Sequence, residues 1–116
     1  MQNDLLERLL KFAIDVILFL RKIENTEEYR IIKRQLIKSS TSSGANYEEA
    51  QGGSSKADFN NKTRISLKEM RESNFWLKII IGTLDKETLK SECQFLIDES
   101  EELKKILGSI CSKTRK

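Results

Sequence analysis

At 116 residues the chain is long enough to bury one core without disulfides or a structural metal, and too short for several domains. Charged residues make up 34%, Pro and His are absent and only five Gly occur, a composition that suits long helices better than strands, which need frequent turn residues between them. Without His, the usual zinc sites, Ser-His or Cys-His catalysis and carboxylate-histidine di-iron centres all lose an indispensable group, so we expect no cofactor and no enzymatic activity.

The net charge is +3, but its distribution says more: residues 30–78 hold ten basic and five acidic side chains, and residues 85–105 hold four and seven. A basic middle of this size permits a polyanion partner without demanding one.

The first predicted helix covers residues 4–24. Glu7, Arg8, Lys11 and Asp15 share one polar arc, and the apolar residues between Leu5 and Leu20 fill the rest of the wheel. A helix packed on one core needs an apolar stripe of only ~100°, so this surplus implies either a helix wrapped by its own chain or an interface with other subunits. Its longest apolar run, Phe12 to Leu20, is broken by Asp15 and falls short of the ~20 residues of a membrane span. No membrane partner is expected.

Asn25 and Thr26 ahead of Glu27 and Glu28 suit an N-cap, which opens a second helix over residues 27–51. Tyr29, Ile32, Leu36, Ser40, Ser43, Tyr47 and Ala50 recur at spacings of three and four, straight through SSTSSGA, a stretch whose composition alone reads as loop. Periodicity favours a continuous helix, in which Ser39, Ser43 and Gly44 let another backbone come close. Gly52 and Gly53 end it, and Ser55 with Asp58 opens a third helix over 55–81. Gly82 is expected to close that helix and Asp85 to cap a fourth, over 86–111. Cys93 and Cys111 lie 18 positions apart on this last helix, roughly 27 Å at 1.5 Å per residue, too far to bridge. Two lone thiols without a signal peptide predict a cytoplasmic protein. Short connections make one all-α domain, an antiparallel up-and-down four-helix bundle over 1–116, the simplest fold.

The segments QLIKSSTSSGANYEEAQGG (35–53) and ADFNNKTRISLKEMRESNFWLKII (57–80) resemble the four-helix-bundle family of 23S rRNA-intervening-sequence proteins, bacterial proteins often encoded within insertions in large-subunit ribosomal RNA genes. The resemblance implies an up-and-down bundle, assembly into a homopentameric ring and no enzymatic activity. It extends to a branch similar to the accessory protein of diversity-generating retroelements, a basic pentamer that engages RNA and a reverse transcriptase. On this resemblance the family's hallmark positions are Gln35, Leu36, Ser39, Ser42 or Ser43, Asn46, Glu49 and Ala50 on the second helix, and Phe59, Glu69, Glu72, Trp76 and Leu77 on the third. Asn46 and Glu49 beside Glu69 and Glu72 raise a carboxylate site, but a metal would normally recruit His or further inward carboxylates. A buried polar network or subunit contact is the better reading.

Arg64, Lys68, Arg71 and Lys78 share one face of the third helix with Phe75, and Arg30, Arg34 and Lys38 follow at i, i+4 and i+8 on the second. Such rows can neutralise successive phosphates, and an aromatic among them can stack on an unpaired base. The plain alternative is a solvated face with Phe75 packed under a neighbouring subunit. Ring assembly would multiply each row fivefold, and the tail Lys113, Arg115 and Lys116 adds charge. Two functions stay open: an oligomer that binds structured RNA or DNA, or an oligomeric scaffold for a protein partner such as a reverse transcriptase.

Overall fold

Two hydroxyls set where the central helices begin. Thr26 Oγ1 accepts from the Tyr29 N–H at 3.1 Å and Ser55 Oγ from the Asp58 N–H at 3.0 Å, each satisfying a backbone donor that the first helical turn leaves free. In the computed structural model, which describes residues 2–53 and 55–114, the chain forms α1 (Gln2–Leu20), α2 (Glu27–Gln51), α3 (Lys56–Thr83) and α4 (Glu87–Lys113). No strand occurs among the described residues.

Each helix packs on two neighbours, α1 on α2 and α4, and α3 on α2 and α4, so the four occupy the corners of a bundle. Contacts run in opposite directions along each seam. Ser39 meets Ser73 while Ser43 meets Ser66, and Arg8 reaches Glu99 while Lys22 reaches Glu92, as antiparallel neighbours require. The long axis of 46 Å is about the length of one straight 28-residue helix at 1.5 Å per residue. The core stacks Leu9, Phe12 and Val16 of α1 on Leu36, Tyr47, Met70, Leu77, Cys93, Leu103 and Leu107.

The Ser-rich stretch lies inside α2, and the reason is its partner. Ser39, Ser40 and Ser43 are buried, and Ser43 and Ser66 exchange bonds, each hydroxyl donating to the other residue's backbone carbonyl at 2.8 and 2.7 Å. Residues with poor helix propensity are held helical by tertiary hydrogen bonds. Gly44 sits against Leu9, yet a Cβ there would stand 3.5 Å from Leu9 Cβ, an ordinary contact, so close approach does not require glycine.

Three boundaries differ from the sequence expectation. α1 stops at Leu20, not at residue 24, because Lys22 and Ile23 donate back to Phe19 and Leu20 in a tighter turn that buries Ile23. There Lys33 Nζ donates to the Ile23 carbonyl and, at 2.8 Å, to Asn25 Oδ1. Gly82 does not close α3: it lies inside the helix, which ends at Thr83 with Leu84 as an extended C-cap whose N–H bonds the Ile80 carbonyl. Asp85 does not cap α4, since Lys86 holds the N-cap position and no side chain bonds there.

Candidate nucleic-acid interface

The buried face of α3 fixes what its other face can do. Ser66 and Ser73 turn toward α2, while Asn74 Nδ2 donates to Ser100 Oγ at 2.8 Å and to Glu101 Oε2 at 3.0 Å on α4. With both seams fixed, Arg64, Lys68, Arg71, Phe75 and Lys78 are all left outside and exposed, along one line of the helix surface. Phe75 is 58% exposed, and its ring meets that of Trp76 edge-on at 5.7 Å.

Arg64, Lys68 and Arg71 form no ion pair among the described residues, whereas Lys78 Nζ lies 3.2 Å from Glu101 Oε2. The row therefore presents three unneutralised cations and one that is shared. Lys78, with Lys104 and Asn74 adding, holds the Glu101 carboxyl below the usual carboxylate range. On α2, Arg30, Arg34 and Lys38 are likewise exposed and unpaired among the described residues, with exposed Ile31 and Ile37 beside them.

The opposite flank carries the other sign. Asp98, Glu99 and Glu102 lie along the outside of α4 near Phe95, which is 63% exposed. Arg8 of α1 binds Glu99 with two nitrogens, at 3.0 and 2.8 Å, and Glu102 at 2.9 Å. Those two carboxylates hold the Arg8 guanidinium above its ordinary pKa, so acidic charge on this flank is partly neutralised from within. Sequence patterning missed this flank, although Phe95 falling off the Leu89–Cys93–Leu96 seam of α4 was a readable sign of it.

The remaining positions separate into three groups. Ser39 and Ser43 are the buried hydroxyls of the α2–α3 seam. Asn46 donates to the Ser42 carbonyl at 2.9 Å, and Glu49 pairs with Lys62 at 2.7 Å, so neither turns to Glu69 or Glu72, which are half-buried on α3. Gln35 is exposed, while Phe59 and Trp76 are half-buried, and the Trp76 indole N–H finds no acceptor among the described residues. The carboxylate grouping does not assemble, and among the described residues no cluster of three or more His, Cys, Asp or Glu could hold a metal ion. No helix among them is long and apolar enough to cross a membrane. Lys113 is exposed at the end of α4; Arg115 and Lys116 lie outside the described residues.

Comparison with known proteins decides the lineage. The profile of the 23S rRNA-intervening sequence protein family matches residues 1–109. The chain belongs to this family. It is also similar to a crystallised protein of unknown function from the S23 ribosomal protein family of Bacteroides thetaiotaomicron, with a TM-score of 0.80 and 32% identity over 92% of this chain and 97% of that one. The TM-score places the two chains in one fold. No curated protein matches.

Proposed function

We propose that the protein is a non-enzymatic homo-oligomer that binds structured RNA or another nucleic acid through the outer faces of α3 and α2. The observation that carries this reading is the set of six cations, Arg64, Lys68 and Arg71 with Arg30, Arg34 and Lys38, that lie outward without an acidic partner among the described residues. Several other cations are tied up, as Lys11 is by Asp15, Lys22 by Glu92 and Lys62 by Glu49, whereas these six stand in two rows. A phosphate chain supplies the counter-charge these six lack, and Phe75 stands within the α3 row where an unpaired base would stack. The half-buried hallmark residues serve the bundle and its subunit contacts, and the ring of five is the assembly implied by the family resemblance.

A second reading, a scaffold for a protein partner, is favoured by the exposed Phe95 on the acidic flank. Titrating a fluorescent RNA hairpin at increasing salt separates the two. Contact with three or more phosphates gives a log–log slope of about −2 or steeper, while docking through Phe95 leaves RNA unbound and responds weakly to salt.

A further inference from the structure

Glu101 of α4 stands at one end of the α3 row and is held there from three sides. Asn74, only 4% exposed, donates through Nδ2 to Glu101 Oε2 at 3.0 Å and to Ser100 Oγ at 2.8 Å. Lys78 Nζ lies 3.2 Å from the same Glu101 oxygen, and Lys104 Nζ lies 3.3 Å from Oε1. With both oxygens engaged, one of them by an almost wholly buried amide, this carboxylate is a fixed charge rather than a roaming one. It occupies Lys78 as a phosphate oxygen would.

The order of side chains along α3 then takes on a direction. Arg64, Lys68 and Arg71, exposed and unpaired among the described residues, follow one another at about 6 and 4.5 Å along the helix at 1.5 Å per residue. Phe75 comes about 6 Å further on, and then Lys78, already taken. The Phe75 and Trp76 rings meet edge-on with their planes at 69°, which leaves a face of the exposed Phe75 ring open. Three free cations, one aromatic face and then a fixed negative charge suit one kind of occupant. The phosphates of a strand fit the cations, and its next base lies on Phe75. A further phosphate along α3 is set against Glu101 and is repelled. A duplex fits this order badly, because its bases must first be unpaired and unstacked to reach Phe75, and because its backbone runs on past the contact toward Glu101. An unpaired strand turns away after the stacked base.

We propose that the α3 row takes an unpaired strand in preference to a duplex, and that Glu101 ends its footprint at Phe75 by holding Lys78 out of reach. Arg64, Lys68 and Arg71 take phosphates, Phe75 takes the base that follows, and Glu101 is a specificity-determining residue that acts through Lys78. The proposal rests on the nucleic-acid reading above and narrows its ligand to the unpaired parts of a structured nucleic acid, its loops, bulges and strand ends.

Titrating the full chain against a fluorescent unpaired RNA strand and a blunt RNA duplex of the same length, across a salt series, tests it beside Phe75→Ala, Phe75→Trp, Glu101→Gln and Glu101→Gln/Lys78→Gln. The expected result is tighter binding of the unpaired strand by the wild type, although the duplex carries twice the charge per length. Phe75→Ala weakens the unpaired strand about fivefold or more and leaves the duplex unchanged, while Phe75→Trp keeps the preference. Glu101→Gln frees Lys78, so it tightens both probes and steepens the log–log slope for the unpaired strand by about 0.7 for one phosphate gained. Adding Lys78→Gln cancels that gain. If Glu101→Gln fails to fold, Phe75→Ala on its exposed ring carries the test. A duplex bound as tightly as the unpaired strand, a Phe75→Ala variant that weakens both probes alike, or a folded Glu101→Gln variant with wild-type affinity and slope overturns this assignment and leaves the phosphate-binding reading standing. Retention of neither probe at low salt overturns both.

Discussion

The two long seams of the bundle are built on opposite plans. Between α2 and α3 the buried residues are small and polar, with Ser39 on Ser73 and Ser43 on Ser66, and their hydroxyls bond one another and the facing backbone at 2.7–2.8 Å. Around α1 the seams are large and apolar, with Leu9, Phe12, Val16 and Phe19 all nearly fully buried, and their polar links, Arg8 to Glu99 and Lys22 to Glu92, stay at the rim. One seam is held by close backbone approach and directional bonds, the other by volume. The two therefore fail under opposite substitutions.

The largest effect is expected where volume is removed from α1. Leu9→Ala should lower stability by about 2–5 kcal/mol, since the side chain is wholly buried and a cavity beneath Gly44 cannot readily collapse; a chemical denaturation midpoint reads the loss. On the α2–α3 seam the costly direction reverses. Ser43→Leu should cost about 1–3 kcal/mol by overpacking, and an unmoved midpoint would contradict the close seam described here. A smaller effect of the opposite sign sharpens the contrast: Gly44→Ala should stabilise by about 0.5–1 kcal/mol, because the added methyl meets Leu9 at ordinary distance and the helix interior gains propensity.

Titration supplies the smallest effects. The Glu101 carboxyl is held below its ordinary value first by Lys78, so its contribution is present above the unfolded carboxylate pKa of about 4.3 and is lost as pH falls through the folded value. Glu101→Gln should flatten the acid limb of the stability curve and leave neutral pH little changed. Cys93 behaves in the opposite sense. Burial pushes its thiol up to about 12, so its share of stability is intact below the unfolded thiol value and lost as pH rises through the folded one. At neutral pH a thiol reagent should modify the native chain at Cys93 far more slowly than the urea-unfolded chain.

The architecture was legible because helical periodicity survives poor composition: the seam from Tyr29 to Ala50 kept its three-four spacing through SSTSSGA, and the buried serines are the residues that spacing selected. Thr26 and Ser55 were readable as caps since a short hydroxyl before acidic residues does one job there. Gly82 and Asp85 misled for a physical reason, because glycine is tolerated inside a helix that packing already holds, and α4 begins one residue later than Asp85 would require, with Lys86 at its N-cap. The rows on α2 and α3 could be read as rows, but the capture of Lys78 by Glu101 could not, since it depends on which flank of α3 meets α4. The acidic flank around Phe95 was out of reach for the same reason: it is made by two helices, and single-helix patterning sees only one.

The direct test of the functional account is the retention of an RNA hairpin by wild-type protein and by Arg64→Glu/Lys68→Glu/Arg71→Glu across a salt series. These three positions are exposed and unpaired among the described residues, so the variant should keep the wild-type melting temperature and oligomeric mass. The account predicts tight wild-type binding at low salt that weakens with a log–log slope of about −2 or steeper, and loss of retention in the variant at every salt concentration. Equal binding by the two proteins, or wild-type affinity that does not respond to salt, would contradict it.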